Sequence, residues 1–117
     1  MNGNNLPTSL NTAHGPIRFP AYVPVTTFGK KYPLDDLVRP YLPRLAPAAM
    51  VSFHYARQMT ERPSLPLLID SGGFASLFQH SKVNVLGGLG VLETQTDEKT
   101  EILHPRDVLE FQEHHAD

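Results

Sequence analysis

Short apolar runs separated by polar, proline- and glycine-rich connections dominate the hydrophobic pattern of this chain. Three runs, near 21–26, 48–53 and 66–70, are typical of buried β-strands. They are continuous rather than alternating, as a parallel sheet covered on both faces requires. Between them, residues 34–45 show helical spacing interrupted by two prolines, and a short helix is predicted over 55–61. The pattern therefore predicts a parallel α/β fold.

Two hairpins and a final helix complete the predicted elements. The first hairpin lies within 9–19 and turns at a His-Gly-Pro sequence. A second β excursion covers 82–103, where the glycine-rich stretch 87–90 reads as a hairpin turn rather than a phosphate loop. A helix should run from about 105 to 115, since proline suits its first position. Residues 1–8 are expected to be loose.

Composition narrows the class of protein without identifying it. The chain has 10 Lys and Arg against 12 Asp and Glu, so no basic excess marks a nucleic-acid surface. Cysteine is absent, which excludes disulfides, thiolate nucleophiles and thiolate zinc ligands. No run approaches the roughly 20 apolar residues of a membrane helix, and the start does not resemble a signal peptide. These features favour a cytoplasmic protein without membrane contact.

The sharpest chemical feature is a carboxylate at the end of the third predicted strand. Asp70 directly follows an apolar run and is followed by Ser71, Gly72, Gly73 and Phe74. Ligands of parallel α/β folds bind at the carboxyl ends of strands, and glycines let a ligand approach the backbone. Carboxylate, open backbone and aromatic ring together suit a flat heterocycle. An aspartate before Ser-Gly-Gly is also a common turn that caps its own backbone, so the pattern leaves both interpretations open.

The histidines and lysines of the sequence favour structural roles. No two of the six histidines are spaced as metal ligands on one helix face, and His114 and His115 are adjacent, so no metal site is expected. His54 ends a predicted strand near Asp70 and is interpreted as a core or rim residue. Lys30 and Lys31 follow the first strand and are interpreted as a solvated loop.

Residues 67–74 resemble the signature of tRNA-guanine transglycosylases, the queuine and archaeosine tRNA-ribosyltransferases. In that family an apolar strand precedes Asp-Ser-Gly-Gly and an aromatic residue. Two flanking stretches agree in order and spacing. Residues 14–25 are similar to the family's opening, and residues 103–117 are similar to its Leu-Ser-Pro-Glu helix and Gly-Ala-Asp end. The resemblance covers nearly the whole chain from residue 14.

The chain departs from the family pattern at three places. Val25-Thr26-Thr27 stands where the family has Val-Gly-Thr, and 51–54 aligns with Asn-Thr-Tyr-His without its asparagine. His104 replaces the serine that caps the last helix. These changes indicate a divergent branch and affect substrate details more than fold.

The resemblance implies a partial (β/α)₈ TIM barrel, made of the first three βα units and an inserted β-hairpin. A complete barrel needs on the order of 250 residues. Residues 1–117 would then be the amino-terminal portion of a transglycosylase domain, as a fragment, a truncated product or one piece of a split protein. The family's nucleophilic aspartate and its zinc site of three cysteines and a histidine would lie outside this portion. No cofactor is therefore expected in this chain.

For the complete enzyme the resemblance implies replacement of guanine in tRNA by a 7-deazaguanine base through a covalent glycosyl-enzyme. Asp70 would be the general acid/base and contact the base. Ser71, Gly72 and Gly73 would line the base pocket, and Phe74 would stack on the ring. The expected partners are guanine or 7-deazaguanine, tRNA, and a completing chain or second copy. The isolated chain is expected to be inactive.

Three alternatives to this function stay open at the level of sequence. The exchange could act on DNA rather than tRNA. The chain could also be a non-catalytic remnant or partner subunit that keeps the base pocket. An unrelated α/β module with an Asp-Gly-Gly turn is the third alternative, and it would require all the matching blocks to coincide by chance.

An incomplete barrel also predicts low stability. Its strands would leave sheet edges and one apolar face without their covering layers. Val25, Val51, Leu67 and Ile69 are the residues expected on or near such surfaces. The isolated chain is therefore expected to be marginally stable or to self-associate.

Overall fold

The computed structural model describes residues 5–27, 33–72, 81–95 and 100–117 as short helices and small sheets. The strands are β1 (Ser9–Thr12), β2 (Gly15–Arg18), β3 (Ala49–Ser52), β4 (Leu67–Asp70), β5 (Ser81–Leu86), β6 (Leu89–Gln95) and β7 (Thr100–Leu103). The helices are α1 (Pro33–Val38), a 3₁₀ turn (Arg39–Tyr41), α2 (Leu42–Leu45), α3 (Phe53–Ala56) and α4 (Pro105–His115). The loop predicted at Lys30 and Lys31 lies outside the described residues.

The centre of the fold is a parallel pair formed by β3 and β4. Their register places Ala49 beside Leu67 and Ser52 beside Asp70. The segment predicted as the first strand joins β3 only through a parallel bridge between Val25 and Met50. The parallel pairing of β3 and β4 and the position of Asp70 at the end of β4 confirm those sequence predictions. Pro24 lies beside the bridge and has no N–H to extend a ladder.

One face of this parallel pair forms the core. Ala49 and Val51 of β3 and Leu67 of β4 are each 0% exposed. Helix α4 covers them with Val108 and Phe111. The Phe111 ring packs edge-to-face against Phe53 at 5.3 Å between centroids, an arrangement favoured by the ring quadrupoles.

The expectation that Val51, Leu67 and Ile69 would be left uncovered was wrong. All three are buried, whereas Val25 is 74% exposed as expected. Successive side chains of a strand point to opposite faces. An error of one residue in the predicted alternation therefore exchanges the buried face and the open face. The open face of the parallel pair carries instead the half-buried Met50 and Leu68, which alternate with the buried residues.

Both predicted hairpins form. Strands β1 and β2 pair antiparallel around the turn before Gly15. In the second excursion β5 pairs with β6 and β6 with β7, both antiparallel. Gly87 and Gly88 connect β5 to β6 with φ of +58° and +79°, the left-handed values that a two-residue type I′ turn requires. The glycine-rich stretch is therefore a hairpin turn, as predicted.

The helices follow the sequence pattern with shifted boundaries. The helix predicted over 34–45 divides into α1, the 3₁₀ turn and α2, with Pro40 and Pro43 at the interruptions. The short helix predicted over 55–61 instead begins at Phe53 and ends at Ala56. A start at Phe53 places Phe53 and Ala56 on one face, where both are buried.

Helix α4 has the predicted bounds, and His104 caps its first turn. The Arg106 N–H donates to Nδ1 of His104 at 3.2 Å, and the His104 N–H donates to the Asp107 carboxylate at 3.3 Å. This reciprocal pair is a capping box, in which an imidazole nitrogen serves as the acceptor.

The described residues form no closed barrel, so the partial (β/α)₈ barrel stays a prediction. Within those residues the sheets contain two, two and three strands. No helix in the described part of the chain is long and apolar enough to cross a membrane.

Candidate active site

The carboxyl ends of β3 and β4 place two polar residues side by side. Ser52 is the last residue of β3, and its register partner is Asp70, the last residue of β4. Partners on adjacent strands project from the same face of a sheet, so the hydroxyl and the carboxylate lie on one face. Asp70 is exposed at this edge. A carboxylate in this position can reach a ligand at the end of the strands.

The chain leaves β4 through a turn in which Asp70 holds its own backbone. The N–H of Gly72 donates to Oδ2 of Asp70 at 3.3 Å. Gly72 has a φ of +77°, which a side chain would make costly. The structure therefore contains the self-capping turn that the sequence allowed as one of two interpretations. The capping hydrogen bond uses Oδ2 of Asp70, and no described group donates to Oδ1.

Gly72 also packs closely against the start of α3. A Cβ at this position would lie 3.4 Å from the backbone N of His54 and 3.7 Å from Cβ of Ser52. The glycine thus lets the turn after β4 rest on the end of β3. His54 is half-buried and its ring meets Tyr55 edge-on, in agreement with its interpretation as a rim residue.

Ser52 is a site residue that sequence reasoning did not identify. Its Oγ is buried and has no hydrogen-bond partner among the described residues. A buried hydroxyl without a partner costs about 1–3 kcal/mol. The alignment of 51–54 with Asn-Thr-Tyr-His contained the signal, because it places a hydroxyl residue at Ser52.

Ser71 opens onto a separate pocket of about 280 Å³. Leu92 and Leu103 of the three-stranded sheet and Val108 of α4 give it an apolar lining. Gln112 also lines it, and its Nε2 donates to the carbonyl of Ile69 at 2.7 Å, which fixes the end of β4 to α4. The turn after Asp70 therefore presents Ser71 to an apolar space.

The structure thus brings together part of the predicted site. Asp70, Ser71 and Gly72 lie in one turn at the carboxyl end of β4, and Ser52 joins them from β3. Gly73 and Phe74 lie outside the described residues, so the predicted stacking face stays a prediction. Within the described ranges, no cluster of three or more His, Asp or Glu side chains could hold a metal ion.

The opposite end of β4 is held by a second carboxylate, Asp117. The Asp117 side chain is 1% exposed and pairs with His14 at 2.7 Å and with Arg62. The Leu67 N–H donates to Oδ2 of Asp117 at 2.8 Å, and the Asp117 N–H donates to the Leu67 carbonyl at 2.9 Å. These contacts, called here the Asp117 clamp, tie the first hairpin, the loop before β4 and the end of α4 to one strand.

The charge of Asp117 is strongly stabilised. Burial by itself raises the pKa of this carboxyl group, but the hydrogen bonds from His14, the Leu67 N–H and Arg62 lower the pKa from 3.8 to about 2. The folded state therefore favours the ionised carboxylate of Asp117 over the protonated form. The sequence pattern identified Asp117 only as the end of a matching block and gave no sign of this role.

Comparison with known proteins does not identify a family. No family model matches the chain, and no curated protein matches it. The interpretation of the site therefore depends on its residues and geometry, and on the sequence resemblance described above.

Replacing Gly72 with alanine should lower the free energy of unfolding by about 1–2 kcal/mol, because alanine resists a φ of +77°. Gly88→Ala is the matched control, since its φ is +79° and a Cβ there meets nothing within 4 Å. Urea unfolding of Gly88→Ala measures the cost of backbone strain alone. Any additional loss in Gly72→Ala then measures the contact of the new Cβ with the start of α3. An unchanged midpoint for Gly72→Ala would contradict the strain at this turn.

Proposed function

We propose that this chain carries the general acid/base and part of the base pocket of a tRNA-guanine transglycosylase-like base exchange. The observation that supports the proposal best is the exposed Asp70 at the carboxyl end of a parallel strand, beside Ser52. The sequence resemblance of residues 67–74 is the reason for proposing base exchange as the reaction. The cytoplasm is the proposed compartment.

Asp70 would manage protons on the purine during the exchange. In the first half, the bond between ribose C1′ and guanine N9 breaks as a carboxylate nucleophile bonds to C1′, and Asp70 donates a proton to the leaving guanine. In the second half, Asp70 accepts a proton from the incoming 7-deazaguanine base as that base bonds to C1′. We assign no nucleophile within the described residues.

The backbone around Asp70 would recognise the edge of the base. Gly72 lets the turn after β4 rest on the start of α3, and this contact would hold Asp70 and Ser71 at the end of the strand. The buried Ser52 hydroxyl lacks a partner among the described residues, and its register position beside Asp70 would let it hold that carboxylate in place. Ser71 would line the same site from the side of the apolar pocket.

Base binding by the purified chain tests this proposal. We expect guanine and 7-deazaguanine to shift the backbone amide resonances of Ser52, Asp70 and Gly72 in an isotope-labelled sample, and adenine to shift them less. Asp70→Asn should weaken guanine binding about tenfold or more, because the carboxylate is lost as an acceptor. Asp36→Asn removes another exposed carboxylate, which pairs with Arg39, and should leave binding unchanged. Equal binding of guanine and adenine, or equal affinity of Asp70→Asn and the unaltered chain, would refute the proposal.

A further inference from the structure

The outer strand of the three-stranded sheet exposes an unusual pair of valines. Val83 and Val85 are 71% and 72% exposed, although β-branched residues in strands usually pack against a neighbour. Val85 lies opposite Gly90, which has no side chain to cover it. Val83 lies opposite Leu92, whose side chain faces the pocket beside α4. We call Val83, Val85 and the backbone between them the valine edge.

The backbone of the valine edge directs its polar groups outward. The two-residue turn closes on Leu86 and Leu89, which therefore form the hydrogen-bonded pair of the turn. Pairs along an antiparallel ladder alternate between hydrogen-bonded and non-hydrogen-bonded. Asn84 consequently bonds toward β6, whereas the N–H and C=O groups of Val83 and Val85 point away from the sheet. No described strand pairs with this side of β5.

Apart from one lysine, β5 lacks the features that usually protect an edge strand. The strand is six residues long and contains no proline. Its one charged residue, Lys82, reaches back to Glu93 at 3.5 Å, on its own sheet. Asn84 likewise donates to Glu93. The edge is therefore apolar on one face and open along its backbone.

We propose that the valine edge pairs with the valine edge of a second copy of this chain. The sequence Val83-Asn84-Val85 is symmetric about Asn84, as a two-fold interface requires, because the same surface must complement itself. An antiparallel register centred on Asn84 sets Val83 against Val85 of the other copy, and the reverse. Both of these are residues whose backbone groups point outward, so each pair forms two hydrogen bonds.

The same register also matches the side chains. The four valines of the two copies meet on one face of the joined sheet. On the same face of each chain, Leu92 lies beside Val83 and Leu103 lies beside Leu92. Contact between these valines removes apolar surface from water, which favours the dimer. The two three-stranded sheets join into one continuous sheet, in which the β5 edge of each copy is paired. An extended peptide of another protein would satisfy the backbone equally well, but only a second copy repeats the symmetric pattern.

Disulfide trapping tests the register directly, since the chain has no cysteine of its own. The two Asn84 residues form a non-hydrogen-bonded pair in the proposed dimer, with Cα atoms about 4.5 Å apart, a separation that a disulfide spans. We expect Asn84→Cys to give a covalent dimer under mild oxidation. Ser64→Cys places a thiol at an exposed site away from β5 and should stay monomeric.

A second variant tests the pairing without any cross-link. Val85→Pro removes an N–H that points outward, so it should block the dimer while keeping the β5–β6 ladder. Sedimentation velocity should show a concentration-dependent dimer for the unaltered chain and for Leu37→Thr, an exposed control on α1. It should show a monomer for Val85→Pro.

Four results would overturn the proposal. A monomer at every concentration would do so, as would a dimer that persists in Val85→Pro. Equal cross-linking of Asn84→Cys and Ser64→Cys would indicate random collision. A monomeric chain that binds an extended peptide would assign the edge to another protein and exclude the second copy as its partner.

Discussion

Replacing Asp117 with alanine should lower the free energy of unfolding by about 2–3 kcal/mol. The carboxylate is 1% exposed and receives hydrogen bonds from His14, Arg62 and the Leu67 N–H. Its loss leaves the Leu67 N–H without its side-chain acceptor and removes the ionic partner of Arg62, which keeps its hydrogen bonds to the carbonyls of Pro63 and Leu65. Arg62 is 26% exposed, so water offsets part of the cost. Urea unfolding followed by circular dichroism measures the change.

Acid should remove the same contribution from the unaltered chain. The pKa of Asp117 is lowered from 3.8 to about 2, so the ionised carboxylate stabilises the fold above pH 4 and this stabilisation is lost as the pH falls toward 2. The difference corresponds to about 2 kcal/mol. Asp117→Asn keeps the shape of the side chain and loses its charge, so its stability should change less over this pH range.

An exposed ion pair provides the comparison for the Asp117 clamp. Asp36 of α1 pairs with Arg39 of the following 3₁₀ turn and is 45% exposed, so Asp36→Ala should cost no more than about 0.5 kcal/mol. If Asp117→Ala and Asp36→Ala had equal effects, the clamp would contribute no more than a surface pair. If the chain and Asp117→Asn lost stability in parallel between pH 4 and 2, other carboxylates would account for the acid sensitivity.

Leu67→Ala should destabilise the fold by about 3 kcal/mol, within the 2–5 kcal/mol range of large-to-small core changes. Leu67 is 0% exposed and lies in β4 between β3 and the Asp117 clamp. Strand pairing on one side and the clamp on the other limit collapse around the missing side chain, so a cavity should persist. This loss is a large share of the 5–15 kcal/mol of a typical domain.

Leu37→Ala is the matched control for the cavity. Leu37 is 68% exposed on α1, and alanine is a good helix former, so the midpoint of urea unfolding should barely move. A midpoint for Leu67→Ala that equals the midpoint for Leu37→Ala would contradict the assignment of Leu67 to the core.

Local sequence signals predicted most of the secondary structure. The two glycines at 87–88, the proline at the start of α4 and the continuous apolar runs of β3 and β4 each have a direct physical meaning. The helix boundary at Phe53 was missed, since an aromatic residue after an apolar run fits a strand as well as a helix. Burial of Phe53 against Phe111 decides between the two.

The candidate site was predicted only where its residues are contiguous in the chain. Asp70, Ser71 and Gly72 follow a strand directly, so their position at its carboxyl end could be inferred. Ser52 enters the site through the register of β3 against β4, a contact between residues far apart in sequence. No periodicity within either strand indicates which residues will be partners.

The sequence by itself determined where the strands, turns and final helix lie, because those depend on local backbone preferences and on the spacing of apolar residues. It also determined that a carboxylate ends the strand β4. Only the tertiary structure decided which face of the parallel pair is buried, that Asp117 is a buried clamp, and that no described strand pairs with the outer side of β5. Each of these depends on which distant segments meet, and the free energy of burial and pairing is realised only in those contacts.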